Sequence, residues 1–235
     1  MKHTFFIKDW LNSFLSLLFP HCCVVCGRPL AKGEECLCIM CNINLPRTNY
    51  HLRKDNPVER LFWGQIPLER ATSFFFYRKG SDFRQILHQL KYGGKKEVGI
   101  IMGRYMAAEL SDSGFFEGVD VIIPIPLHKK KQQIRGYNQS ECIARGIAAV
   151  TGITVCVESV VRRKNTETQT RKSVFERWEN VDGIFELHRS EHLAGKHILI
   201  VDDVLTTGAT TVACASRLAE IEGVRISVLT LAMAE

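Results

Sequence analysis

The sequence predicts an α/β fold in which a parallel sheet is flanked by helices and preceded by a small cysteine-rich module. Three observations carry that expectation. Val119–Ile125 and Ile198–Val201 are apolar, β-branched runs of strand length, the pattern of strands buried on both faces of a parallel sheet. Each leads through a polar loop into a segment with helical period, Ile143–Val150 and Val212–Leu218. Six of the nine cysteines fall between Cys22 and Cys41 and include two Cys-x-x-Cys pairs.

A chain of 235 residues, 46% hydrophobic, holds one α/β domain of ordinary size and a small accessory module. Its net charge is +6, and the stretch from His128 to Asn180, with eleven Lys/Arg against five Glu, carries an excess equal to that of the whole chain. So focused a basicity suits a polyanion, pyrophosphate or nucleic acid, and competes with the plainer reading of a solvated basic surface. The first 19 residues are apolar but contain Lys8 and Asp9 and lack a small-residue cleavage site, which fits a signal peptide poorly. No other run is long enough to span a bilayer, so no membrane span and a cytoplasmic, reducing location are expected. In that setting clustered cysteines favour metal over disulfides.

Residues 1–20 read as an amphipathic helix, with Phe5, Phe6, Trp10, Leu11, Phe14, Leu17 and Leu18 near helical spacing and Pro20 ending the pattern. Residues 21–48 form the cysteine module. Cys23-Val-Val-Cys26 and Cys38-Ile-Met-Cys41 are spaced as in a closed four-cysteine structural zinc site, with Cys22, Cys36 and His21 as alternative donors. The remaining cysteines, Cys142, Cys156 and Cys214, lie in apolar surroundings and read as core. Residues 49–70 are polar and turn-rich, a linker or a partly ordered connection. Residues 71–235 form the main domain.

Within it, Ala71–Tyr77 is a candidate strand, and Phe83, Ile86, Leu87 and Leu90 repeat at helical spacing up to Lys91. Val98–Leu110 is a further helix. Two readings of Lys91 stand: it reaches the active cleft, or it is a helix-terminal lysine favoured by the dipole. The strand from Val119 ends in the rigid turn Pro124-Ile-Pro126-Leu127-His128, followed by a loop with Lys129, Lys130, Lys131 and Arg135. In a doubly wound sheet ligands lie beyond the carboxyl ends of the strands, so this loop and the one after Val201 should share a crevice. A guanidinium suits bidentate phosphate binding, which favours Arg135 over the lysine run. Ile153–Val161 alternates like a strand, the basic stretch from Arg162 to Arg177 reads either as a lid or as an exposed loop, and Asn180–Phe185 returns to strand.

After Val201 come Asp202 and Asp203, then Thr206-Thr207-Gly208-Ala209-Thr210. A strand, a small-residue loop and a helix in that order make an anion cradle: helix-start amides are unpaired, Gly208 permits close approach, and threonine hydroxyls add donors. Two adjacent acids beside a phosphate suit sugar hydroxyls or hydrated Mg²⁺. The stretch resembles the phosphoribosyltransferase signature, which holds the ribose and 5′-phosphate of phosphoribosyl pyrophosphate. No Walker-type Gly-x-x-x-x-Gly-Lys-Ser/Thr occurs in the chain.

Together with the double Cys-x-x-Cys module, Leu90-Lys91-Tyr92, Pro124–His128, Arg135–Gln139, Arg163 with Thr166 to Gln169, and Arg177–Val181, the order of motifs resembles the ComF (GntX-like) family. Thr170-Arg171-Lys172 departs from the Thr-Gly-Leu frequent in that family. The resemblance implies a type I phosphoribosyltransferase-like sheet and a structural zinc on Cys23, Cys26, Cys38 and Cys41. It further implies phosphoribosyl pyrophosphate and Mg²⁺ held by Asp202, Asp203, Thr206–Thr210, Lys91, Leu127, His128, Lys129 and Arg135 under a lid of Arg163, Thr166, Gln169 and Arg177. A role in DNA uptake alongside competence proteins is expected. Two functions stay open: a binding protein for single-stranded DNA, with Tyr92 and Tyr137 as stacking aromatics, or an active transferase that releases pyrophosphate.

Overall fold

The structure is a computed structural model that describes residues 21–163 and 183–235. Five parallel strands form the main sheet: β1 (Arg70–Tyr77), β2 (Val121–Pro124), β3 (Thr154–Val155), β6 (His197–Leu205) and β7 (Arg225–Ala234), in the order β1-β7-β6-β2-β3. A separate antiparallel ribbon pairs β4 (Val160–Arg162) with β5 (Phe185–Leu187). The helices are α1 (Ile39–Ile43), α2 (Pro57–Arg60), α3 (Arg84–Tyr92), α4 (Lys96–Ser111), α5 (Lys129–Arg135), α6 (Gln139–Thr151) and α7 (Ala209–Leu218).

Strand β6 shows why the run Ile198–Val201 is apolar at every position. Successive side chains leave opposite faces of a strand, so Leu199 and Val201 join one core with Met102, Met106, Ile143 and Ile147, while Ile198 and Ile200 join the other with Val212, Cys214 and Leu218. From β2 the chain turns to β3 on one side, and from β6 to β7 on the other. The order therefore reverses between β2 and β6, and the helices that follow, α6 and α7, lie on opposite faces. A crevice opens at such a point, at the carboxyl ends.

Strand β7 goes beyond the sequence reading, which stopped at Leu218. It is inserted between β1 and β6 and is almost entirely buried. The turn-rich stretch 49–70 folds against the domain. Asn56 accepts from Val58 N and Glu59 N, Glu59 returns a bond to Asn56 N, and Asn56 Nδ2 donates to Ala71 O at 2.9 Å. The polar residues that suggest a linker are thus caps, and they carry Val58 and Phe62 into full burial. Segment 153–161 divides: β3 ends at Val155, Ser159 is fully buried at the bend, and the chain then joins the ribbon. The loop expected at 129–135 is helix α5, started by His128 Nδ1 accepting from Lys130 N at 3.3 Å and ended by Gly136 at φ 77°. Good helix formers without an apolar stripe hid it, and Ile134 is indeed exposed.

The cysteine module packs on α4. Cys23, Leu37, Cys38 and Leu45 join that core, and Arg47 pairs with Glu109 at 2.6 Å and Arg104 with Glu35. Residues 1–20, and with them the expected amphipathic helix, lie outside the described residues.

Helices α4 and α6 approach through glycine. A Cβ on Gly146 would stand 2.1 Å from Ile100 O, and one on Gly103 2.2 Å from Ile143 O, both backbone atoms. Gly146→Ala should therefore cost about 3 kcal/mol, the upper range for overpacking. Urea unfolding checks this, with a control at the exposed position Ala149→Gly expected to cost about 1 kcal/mol through helix propensity.

Candidate functional site

The crevice is framed by an early strand end. Pro124 pairs with Val201, Ile125 N donates to Val201 O at 2.9 Å, and there β2 stops, whereas β6 continues beside β7 as far as Leu205. Asp202 and Asp203 are therefore the first β6 residues without a neighbour on the β2 side. Strand alternation sends their carboxylates to opposite faces. Asp203 turns to the α3 face, where Lys91 Nζ lies 3.1 Å from its Oδ2. Asp202 Oδ1 accepts from Ser140 Oγ at 2.9 Å and from Asp203 N at 2.8 Å. Burial first, and then the charge of Asp203, push the Asp202 carboxyl up to about 7, against the pull of its hydrogen bonds and of Lys91.

Beyond Leu205 the Thr206–Thr210 loop leads into α7. Gly208 sits in the left-handed region at φ 78°, which favours glycine, and a Cβ there would crowd Phe62 Cε1 at 3.1 Å. The N-cap Gly208 offers no side-chain cap to α7; Ala209 N donates to Thr207 Oγ1 at 3.5 Å, and the helix start carries the positive end of the dipole.

The Arg135–Gln139 segment is the brace of the opposite wall. Tyr137 Oη donates to Leu90 O at 2.6 Å, Asn138 Nδ2 donates to Ile125 O at 3.0 Å, and Asn138 Oδ1 accepts from Ser140 N at 3.1 Å. These bonds tie the end of α3, the turn after β2 and the start of α6 into one unit, and so bring Lys91 and Ser140 to the two acids. Arg135 donates to Gln139 Oε1 at 2.7 Å and lies over the Tyr92 ring, 5.6 Å from its centroid. Leu127 and His128 stand half-buried at this wall, and Lys129 is exposed. Tyr137, read as a stacking aromatic, is buried, whereas Tyr92 is 70% exposed. Of the expected lid only Arg163 is described, paired with Glu186; Thr166, Gln169 and Arg177 lie outside the described residues.

In the amino-terminal module the thiols of Cys23, Cys26, Cys38 and Cys41 lie within 4.8 Å of one another, and Cys26 and Cys38 are 3.7 Å apart. A tetrahedral ion with bonds of about 2.3 Å to sulfur sets its ligands about 3.8 Å apart, so these four could hold a metal such as zinc. Burial acts to raise the Cys23 thiol, yet amides of Cys26, Cys38 and Val25 and the Cys26 thiol bring it down to about 7. Among the alternatives, Cys36 faces Met102, sulfur to sulfur 3.9 Å, and burial pushes its thiol up to about 12. Cys22 and His21 are exposed.

Known proteins resemble this chain in sequence. Residues 136–234 match the phosphoribosyl transferase domain family. DNA utilization protein YhgH of Shigella flexneri is 29% identical over 209 residues, 83% of this chain and 88% of that protein. Competence protein ComFC of Bacillus subtilis is 25% identical over 203 residues, 85% of this chain and 72% of that protein. Competence protein F of Haemophilus influenzae is 35% identical over 92 residues, 39% and 40% of the two chains. The chain resembles the ComF-like proteins over more than four fifths of its length. No helix among its described residues is long and apolar enough to cross a membrane.

Three neighbours of the site in this ComF-like chain escaped sequence reasoning. Ser140 follows a motif without belonging to it, and nothing local marks it. Phe62 lay in the stretch taken for a linker, although Leu61-Phe62-Trp63 is an apolar signal. Arg162 was read as part of the basic stretch; burial lowers its guanidinium against the attraction of Asp202 and Cys214, and it stacks over Phe185 at 5.4 Å.

Two outcomes are expected. Purified protein should carry about one zinc, and a Cys23→Ser/Cys38→Ser double variant should lose it; retention of a full equivalent would remove the assignment. Since Asp202 is held above its unfolded value, the stability it contributes is full below about pH 4 and is lost as pH rises to about 7. Asp202→Asn should thus match the parent in thermal unfolding at pH 4 and exceed it by several degrees at pH 8, without Mg²⁺ or phosphate.

Proposed function

We propose that this ComF-like protein binds phosphoribosyl pyrophosphate with Mg²⁺ in the crevice between β2 and β6 and acts in DNA uptake by binding single-stranded DNA. The observation that carries the reading is the adjacency of two carboxylates and an uncapped helix start at the reversal of strand order. The amides at the start of α7, with Thr206, Thr207 and Thr210, would take the 5′-phosphate. Asp202 and Asp203 would take the ribose hydroxyls and water bound to the metal, with Ser140 holding Asp202 in place. Lys91 and Arg135 would meet the pyrophosphate from the opposite wall. Mg²⁺ supplies charge neutralisation for the pyrophosphate oxygens.

The DNA half of the reading draws on relatives named for competence and DNA utilization, and on the surface outside the crevice. Lys129, Lys130 and Lys131 occupy the first turn of α5, where the helix dipole disfavours cations. Cations at a helix start run against the dipole, and three of them on the helix whose Arg135 lies over the exposed Tyr92 suit a single strand. Tyr92, flanked by His88 at 5.4 Å and by Arg135, offers the stacking platform.

Calorimetry and salt-dependent DNA binding test both halves. Asp202→Asn with Asp203→Asn should abolish Mg²⁺-dependent binding of phosphoribosyl pyrophosphate; unchanged affinity would take the acids away from the ribose. Replacing Lys129, Lys130 and Lys131 by Gln should lower the salt slope of single-strand binding by about 2, at about 0.7 per lost phosphate contact. Tyr92→Ala should cost about 1–3 kcal/mol for one stacked base. Absence of DNA binding by the parent at low salt would end the nucleic-acid reading.

A further inference from the structure

A second cavity lies at the other end of the sheet. It has a volume of about 560 Å³ and is formed by the residues that precede or open the strands, Asp120 and Val121 at β2, Thr154 and Val155 at β3, and Lys196 before β6. At about 3.3 Å per residue, Lys196 and Asp202 are about 20 Å apart along β6, so this cavity is no extension of the crevice. None of the motifs that define the crevice contributes to it.

Its chemistry has three parts. Val121, Val155, Val157 and Leu193 give an apolar lining. The carboxylates nearby are already engaged, Asp120 Oδ2 accepting from His197 N at 2.8 Å and Glu158 pairing with Arg189 at 3.1 Å. The Lys196 ammonium, by contrast, makes no hydrogen bond or ion pair to a described residue, and it shares the cavity with His192 and Arg189. The third part is backbone. Cys156 N donates to Ile122 O at 2.9 Å, which by strand alternation turns the N–H and C=O of Val155 to the outer side of β3, where no further strand follows among the described residues. An unpaired donor and acceptor on a strand edge, beside an apolar wall, match the hydrogen-bonding edge and face of a nucleobase. The volume lies in the range of small-ligand sites.

We infer that this cavity is a nucleoside monophosphate site, with the base on the open edge of Val155 and the phosphate at Lys196. Adenine presents a donor, N6–H, beside an acceptor, N1, the pair that the Val155 C=O and N–H complement; cytosine shares that edge, but the two-ring face of adenine covers more of the apolar lining at Val157 and Leu193. The inference is independent of the ligand proposed for the crevice.

The cavity contains its own reporter. Cys156 is only half-buried, with Sγ 3.0 Å from Ser159 Oγ and 3.8 Å from His192 Nε2, so a ligand seated there covers the thiol. The experiment follows alkylation of Cys156 by iodoacetamide in the full chain, read by mass spectrometry, with AMP, CMP and inorganic phosphate as probes. AMP at millimolar concentration should slow labelling at least fivefold, and CMP and phosphate much less. Lys196→Glu, at an exposed position, should abolish protection, and Val157→Trp, which fills the cavity, should abolish it by a different route. The Asp202→Asn/Asp203→Asn variant should keep it. Equal labelling with and without AMP would overturn the site. So would protection that survives both cavity variants, or protection that is lost with the two acids and thereby places AMP in the crevice.

Discussion

The crevice exists because β2 stops short. Ile125 N bonds to Val201 O, but the next bond of that ladder, from Asp203 N to Ile125 O, is replaced: Asn138 Nδ2 donates to Ile125 O and Asp203 N donates to Asp202 Oδ1, and the two chains part. Strand β6 is supported from its other side by β7, so it continues straight into the open space and carries Asp202 and Asp203 with it. Without β7 those carboxylates would sit in a loop; with it they are held on a strand, one to each face. A rigid strand running past the end of its neighbour is thus what turns an acidic dipeptide into a defined pair.

Two carboxylates so close repel, and burial adds to the cost. The chain offsets this from both walls, with Lys91 on Asp203 and the Ser140 hydroxyl on Asp202, and the residual strain is visible in the raised Asp202 carboxyl. Neither partner acts alone. Lys91 is placed because Tyr137 holds the last turn of α3, and Ser140 because Asn138 fixes the start of α6 to the turn after β2. The Leu90-Lys91-Tyr92 and Arg135–Gln139 motifs, more than forty residues apart in sequence, are therefore one packing unit. Within it Tyr137 and Asn138 serve position, while Lys91 and Arg135 present charge.

What the sequence made legible follows from the range of each interaction. Strand β6, the Thr206–Thr210 loop and the two Cys-x-x-Cys pairs are local patterns, and they stand where their spacing put them. Strand β7 shares the apolar pattern but lacks a motif beside it, and its insertion between β1 and β6 is a non-local choice. The stretch 49–70 misled for a physical reason, since Asn56, Pro57 and Glu59 have the composition of a turn and the geometry of a helix cap. Phe62 beneath Gly208, and Ser140 beside Asp202, depend on tertiary contacts that no window of sequence contains.

The same strand that displays the acids also fixes how far apart the two cavities must be. Residues 197–205 of β6 are hydrogen-bonded on one or both sides and run through the centre of the sheet, so the amino and carboxyl ends cannot approach each other without breaking the core. The elements free to differ are those at the margins. Strand β3 has two residues and one neighbour, and the β4–β5 ribbon pairs only with itself. The ribbon is also the link between the two ends, because Arg162 in β4 lies within the electrostatic reach of Asp202 while Ser159 and Arg189 beside it line the far cavity. A shift of that ribbon would change the charge near Asp202 and the shape of the cavity together, whereas a shift of β6 would unfold the domain. Communication between the ends of this sheet, where it occurs, must therefore run along its edge and not through its centre.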